Sequence, residues 1–309
     1  MLPTPGPEKS LADFHNFTTQ KLKGRTKQAR VALAAMLTGG HILIEDIPGV
    51  GKTTFALMLA RLSGLSLKRI QCTNDMLPSD ILGPTIWHPG QLEFIFKPGP
   101  IFSPLLLVDE LNRAPSKTQS GLLQAMEERK ISIDGNDLPL PIPFIVMATQ
   151  NPNDGVGNNP LPESQIDRFS ISFRLDIPTP EIEVEMIQQT DILQTVQSMP
   201  QLLELHHFNS AKELVNNIFI HPDLLQYVMR LLETARRWPQ RSMLLSTRAG
   251  RDLVLISRAL ALIDQEKMVL PGHIQEAFPY VCAHRLGGDK GVEFGQKMAA
   301  QILEQVAVS

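Results

Sequence analysis

Two patterns of apolar and polar positions divide this chain. Up to about residue 178, short apolar runs recur between turns rich in glycine and proline; beyond it, apolar residues repeat at helical spacing. In the first part, Thr26 to Leu37 reads as an amphipathic helix with Thr26 as N-cap and Gly39-Gly40 as stop. His41 to Glu45 is then a buried strand, followed by a glycine-rich turn and a helix that runs to Ser63 and stops at Gly64. Leu67 to Gln71 forms a second strand. Between Cys72 and Ser103 the periodicity is broken by Pro78, Pro84, Pro89, Pro98 and Pro100, which marks an insertion carrying a short hairpin around Gln91 to Phe96. Pro104 to Val108 is a third strand, Ser116 to Glu128 a helix, and Lys130 to Ile133 with Leu138 to Leu140 a hairpin turned by Asp134-Gly135-Asn136-Asp137. Pro143 to Thr149 and Phe169 to Leu175 complete the strands, and Met1 to Ser10 is expected to be loose.

The Ile177-Pro178-Thr179-Pro180 segment ends this regime. After it come helical patterns at Glu181 to Gln194, Pro222 to Arg236, Thr247 to Ile263, Pro271 to His284 and Val292 to Val306. The expected architecture is an α/β core with a parallel sheet sandwiched by helices at residues 1–178, and an all-α lid domain at residues 179–309.

The chemistry concentrates where strands end. In HILIEDIPGVGKTT, an apolar strand feeds Pro48-Gly49-Val50-Gly51 and then Lys52-Thr53-Thr54 at a helix start. Such a turn points several backbone N–H groups at one place, which suits a phosphate. Lys52 is positioned to reach the β/γ-phosphates of a nucleotide such as ATP, and the Thr53 hydroxyl to ligate Mg²⁺. Asp46 stands where the usual pattern has its first glycine; a carboxylate facing a triphosphate would be repelled, so Asp46 is expected to turn outward and cap or brace the loop. The second signal is Leu105-Leu106-Leu107-Val108-Asp109-Glu110, a buried strand with two acids at its carboxyl end, where open α/β sheets bind ligands. Asp109 suits Mg²⁺, and Glu110 suits orienting and deprotonating the water that attacks the γ-phosphate.

Composition narrows the choice of partner. A net charge of −3 gives no overall basic field, which disfavours non-specific binding to nucleic acid or anionic membranes, while 43% hydrophobic residues in 309 suffice for one large core plus a smaller one. Cys72 and Cys282 have no metal-ligand spacing and read as buried apolar residues of a reducing compartment. With no apolar run long enough for a bilayer span, a soluble cytoplasmic protein is expected.

The chain resembles an AAA+ ATPase of the MoxR type. The resemblance rests on GGHILIEDIPGVGKT, LPSDILG, LLLVDELNRAPSKTQSGLLQAMEER, ATQNP and LPESQIDRF, with the Asn112-Arg113-Ala114-Pro115 extension of the acidic motif as its most specific part. It implies a hexameric ring, Mg²⁺-ATP hydrolysis at subunit interfaces, and remodelling of client proteins, often with a partner carrying a von Willebrand factor A domain. It also implies that Asn151 holds the attacking water together with Glu110, that Arg168 is the arginine finger entering the neighbouring subunit's site, and that Arg248 is the lid sensor of the γ-phosphate, with Arg251 close enough to substitute. Gly24 matches the family's element near the adenine weakly, and a plain turn is the other reading. Arg113 either links subunits or pairs locally with Asp or Glu. A nucleic-acid motor, a metal-chelatase motor subunit and a nucleotide-dependent switch remain as alternatives. The insert hairpin offers Lys97, Phe94 and Phe96 but no stripe of cations, which weighs against nucleic acid.

Overall fold

Leu105, Leu106, Leu107 and Val108 are all fully buried, a pattern that requires helices on both faces of their strand. In the computed structural model, which describes residues 6–22, 24–47, 49–133, 135–151, 159–188 and 192–308, that strand lies near the middle of a parallel sheet. The strands are β1 (Ile42–Glu45), β2 (Leu67–Gln71), β3 (Thr85–His88), β4 (Glu93–Phe96), β5 (Leu105–Asp109), β6 (Lys130–Ile133), β7 (Asn136–Pro139), β8 (Ile145–Gln150) and β9 (Ile171–Phe173). The helices up to the sheet's last strand are α1 (Pro7–Lys21), α2 (Thr26–Leu37), α3 (Lys52–Ser63), α4 (Pro78–Leu82), α5 (Ser116–Glu128) and the short α6 (Glu163–Ile166). Beyond it come α7 (Pro180–Gln188), α8 (Ile192–Ser198), α9 (Leu205–Asn217), α10 (Pro222–Arg237), α11 (Thr247–Ile263), α12 (Pro271–Gly287) and α13 (Gly291–Gln305).

The main sheet has the order β2-β5-β8-β1-β9, with β3-β4 and β6-β7 as separate hairpins. Side chains alternate between two apolar layers, as the pleat demands. Ile42, Ile44, Leu105, Leu107, Ile145 and Met147 face α2, α3 and the C-terminal helices, whereas Leu43, Leu106, Val108, Val146 and Ala148 face α5. Because strand β1 sits between β8 and β9, with Leu43 paired to Ala148 and Ser172, the end of β1 opens beside the ends of β5 and β8.

Several expectations change. The chain is already helical from Pro7, with Ser10, Leu11 and Phe14 buried, so the loose N-terminus expected through Ser10 gives way to α1. Thr26 does not cap α2: Arg25 is the cap residue, no side chain caps the helix, and the Thr26 hydroxyl donates to the Leu22 carbonyl at 3.4 Å. Helices α4 and α9 had no counterpart in the sequence reading, and α7 and α8 flank residues 189–191 where a single helix was expected. Residues Pro48 and Asp134, both part of predicted turns, lie outside the described residues.

The C-terminal helices pack onto the sheet unit: α11 against α2, and α12 against β9. A clamp joins them, with the buried Arg30 on α2 forking to both Asp264 oxygens at 2.6 and 2.7 Å and to Glu276 at 2.9 Å. Among the described residues no helix is long and apolar enough to cross a membrane.

Candidate nucleotide site

The phosphate loop is built by two left-handed glycines. Gly49 (φ +88°) and Gly51 (φ +83°) reverse the chain between β1 and α3, a conformation that a Cβ would strain. The reversal sets the first N–H groups of α3 at the mouth of the loop, where helix geometry leaves them without intrahelical partners. Lys52 folds back along the loop, its Nζ donating to the carbonyls of Asp46 at 2.7 Å and Ile47 at 3.0 Å. From below, the buried Arg25 donates to the Val50 carbonyl at 2.5 Å, and its guanidinium lies where a Cβ on Gly51 would come within 3.3 Å. Arg25 follows Gly24, a tight turn at φ +75°.

Asp46 braces the loop, but by turning inward. It is 2% exposed, accepting from the Ile47 N–H at 2.8 Å and from the Leu175 and Asp176 N–H groups at 2.8 and 2.9 Å. Three backbone donors compensate its burial and tie the loop to the end of β9. The outward orientation expected from repulsion is therefore corrected: the interior supplies the partners.

Lys52, Thr53, Thr54, Asp109, Glu110 and Asn151 line one open cleft of about 340 Å³, together with Gly49 and Gly51. Thr53 Oγ1 lies 3.4 Å from Asp109 Oδ2, while Asp109 Oδ1 accepts from Thr149 Oγ1 at 3.3 Å. These hard oxygens on facing elements are the donors that Mg²⁺ prefers. Glu110 adopts a left-handed conformation at φ +56°, its N–H donating to Thr149 Oγ1 at 3.0 Å. Its carboxylate accepts from Gln71 Nε2 at 2.8 Å and pairs with Arg113 Nε at 3.1 Å, the local one of the two contacts expected of Arg113. Asn151 is 7% exposed and its backbone carbonyl accepts from Asn112 Nδ2 at 3.2 Å, so the Asn-Arg-Ala-Pro extension buttresses the end of β8.

Arg69 and Gln71 escaped the sequence reading. They project from alternate positions at the end of β2, which pairs with β5 so that Gln71 stands opposite Asp109. Their spacing carries no signal until the strand order is known.

Arg168 and Arg248 are brought together, but not in this cleft. They line a separate groove of about 280 Å³ with Gly40, His41, Arg129 and Arg251. His41 precedes β1 and Arg168 precedes β9, so the groove lies at the amino edge of the sheet, whereas the phosphate loop follows the carboxyl edge. The length of β1, at roughly 3.3 Å per residue, separates the two by about 13 Å or more. Arg248 pairs with Glu127. Among the described residues the Arg168 guanidinium has no hydrogen-bond or ion-pair partner. Burial, then the nearby Arg129 charge, pushes the His41 ring down to about 3. His41 is thus a neutral floor to a groove whose arginines face the carboxylates of Glu127 and Asp252.

A parallel sheet carrying a phosphate loop, an acidic pair and a helical C-terminal unit defines an ATPase of the AAA class. The sequence profile of the ATPase family associated with various cellular activities (AAA) matches residues 41–171, and that of the AAA lid domain matches residues 235–306. The chain is 38% identical to the chaperone MoxR1 of Mycobacterium tuberculosis over 85% of its length and 72% of that protein's, and 35% identical to YeaC of Bacillus subtilis over 92% and 88%. A crystal structure of a Cytophaga hutchinsonii protein assigned as an ATPase superposes with a TM-score of 0.81 at 30% identity, covering 98% of both chains. The chain belongs to the MoxR-type AAA+ ATPases.

Proposed function

We propose that this protein is a Mg²⁺-dependent ATPase that works as a ring of identical subunits, six on family grounds, and remodels client proteins together with a von Willebrand factor A domain partner. In this reading residues 1–178 act as the motor core and residues 179–309 as its lid. The observation that carries it is the division of the site. The phosphate loop and the acids stand at one edge of the sheet, and Arg168, whose guanidinium has no partner among the described residues, stands beside Arg248 at the other. Neither arginine can reach its own subunit's loop across the sheet, so a neighbour's edge must complete each site.

Each chain then supplies half of a composite centre. The loop N–H groups and Lys52 bind the triphosphate, Thr53 and Asp109 hold Mg²⁺, and Glu110 takes the proton of the attacking water, which Asn151 helps to hold. Held by Thr53 and Asp109, Mg²⁺ would supply positive charge against that developing on the phosphate. From the neighbouring subunit, Arg168 supplies a planar cation to the γ-phosphate, worth roughly 10³ to 10⁵ in rate, and Arg248 senses that phosphate. A client in the form of an apolar polypeptide segment is supported by the β3-β4 hairpin, which exposes Ile86, Trp87, Leu92 and Phe94, with Trp87 and Phe94 stacked edge to face at 5.2 Å.

The test is complementation. Lys52→Ala and Arg168→Ala chains are each expected to be inactive alone, and a mixture to regain ATP hydrolysis at interfaces that join an intact loop to an intact Arg168. A mixture as inactive as its components would remove Arg168 from the trans role.

A further inference from the structure

We infer that Arg285, with Asp167 and Ser246, forms a buried hub that aims Arg168 and Arg248 as one unit at the neighbouring subunit's nucleotide. This rests on the trans reading of Arg168 proposed above.

Arg285 on α12 is fully buried, yet it is a cation. Its burial is compensated on several sides. Nε contacts Asp167 Oδ1 at 2.6 Å, and one terminal nitrogen contacts Asp252 Oδ2 at 2.8 Å and the carbonyls of Asp167 and Phe169 at 3.0 and 3.1 Å. The other terminal nitrogen donates to the Val281 carbonyl at 2.5 Å. The backbone held by those carbonyls carries Arg168 between them. Asp167 also accepts from Ser246 Oγ at 2.9 and 3.2 Å, and Ser246 is the N-cap of α11, accepting from the Ala249 N–H at 3.3 Å. Arg248 lies in the first turn of that helix. One carboxylate therefore couples the segment bearing Arg168 to the helix start bearing Arg248.

The hub has a second, electrostatic consequence. Asp167 and Asp252 are the carboxylates adjacent in sequence to Arg168 and Arg251, and both are turned inward onto Arg285. Engaged there, Asp167 is held off Arg168, and Asp252 stays at the groove wall against Arg285, while Arg248 is paired with Glu127. Loss of the Arg285 fork would release both acids toward Arg168, Arg248 and Arg251, and would weaken the finger without removing it. Arg285 touches neither nucleotide nor reacting atoms; it is a positioning residue.

The experiment uses paired subunits. An Arg168→Ala chain, with an intact loop and no finger, is mixed with finger donors whose own loop is disabled by Lys52→Ala. Donors that also carry Arg285→Lys are expected to support at least tenfold less ATP hydrolysis than Lys52→Ala alone. Donors with Ser246→Ala, a milder change at the edge of the hub, should support about threefold less, in both cases as a lower kcat with KM for ATP within twofold. In the converse mixture Arg285→Lys is placed on the Arg168→Ala chain, whose finger is not used, and hydrolysis should match the reference mixture. An equal loss in both arrangements would mean that Arg285 only supports the fold and would overturn the inference, as would full activity from both variant donors. Failure of the reference mixture itself would instead refute the trans reading, and the hub's proposed role with it.

Discussion

Arg69 Nε lies 2.7 Å from Asp109 Oδ2, the same oxygen that stands 3.4 Å from the Thr53 hydroxyl. A cation on β2 thus shares the carboxylate assigned to Mg²⁺. The Arg69 side chain is half exposed, so its field is screened and the effect moderate. Arg69→Ala is expected to lower the Mg²⁺ concentration needed for half-maximal hydrolysis by about threefold to tenfold, the scale of one nearby charge at high effective dielectric. Titrating Mg²⁺ at fixed ATP measures it; an unchanged midpoint would show that Arg69 yields Asp109 without cost.

Glu110 combines a catalytic assignment with a strained backbone, φ +56°. A non-glycine residue held there costs on the order of 1 kcal/mol. Glu110→Gln should retain ATP binding and lose turnover by about a hundredfold or more. Glu110→Gly should be equally inactive but more stable than Glu110→Gln by roughly 1 kcal/mol, because glycine accepts left-handed geometry. Urea midpoints of the two inactive variants, compared side by side, check this.

His41 makes stability depend on pH. The Val146 N–H donates to its Nδ1 at 2.9 Å, so the proton sits on Nε2, which faces the Met126 carbonyl at 3.4 Å. A second proton would oppose that N–H and the Arg129 charge inside the core; burial is the larger cause, and the ring titrates at about 3 instead of 6.5. Between those values the unfolded chain binds a proton that the folded chain lacks. The stabilisation is therefore complete above about pH 6.5 and is lost as pH falls toward 3. Going from pH 7 to pH 5 should cost about 2 kcal/mol through this ring. His284, also buried and held well below its ordinary value by burial and Arg285, acts in the same direction. A His41→Gln variant should show a shallower fall in denaturation midpoint over that interval, and an identical slope would exclude His41 as the cause.

Arg30 is the clamp between α2 and the C-terminal helices, forking to Asp264 and reaching Glu276. Its side chain is buried while both acids are partly exposed, which tempers the value of the pairs. Arg30→Ala is expected to destabilise the protein by about 2 kcal/mol, and Arg30→Lys by less, since an ammonium cannot fork to two oxygens. Equilibrium unfolding in urea distinguishes the two, and no loss in either would mean that the clamp contributes nothing net.

How much could be read beforehand depended on how local each feature is. The strand, turn and helix from Ile42 to Ser63 were legible because a short apolar run, two glycines and a helix start follow one another within a few residues. Asp109 and Glu110 were legible for the same reason, as acids closing a fully apolar strand. Helix α9 was not: its sequence is mostly polar, and it is held by Phe208, Ala211 and Val215 buried against distant helices. Thr26 failed as a cap because the chain enters α2 from α1 through Gly24 and Arg25.

The sequence alone located the phosphate loop and the acidic pair and determined the parallel, helix-covered sheet, because these follow from neighbouring residues and from the period of burial. Only the tertiary structure decided that Arg69 meets Asp109, that Asp46 turns inward to the end of β9, and that Arg168 and Arg248 share a groove across the sheet from Lys52. Those relations depend on strand order and on the docking of α11 and α12, which bring together residues far apart in the chain; a long-range pairing leaves no trace in local periodicity.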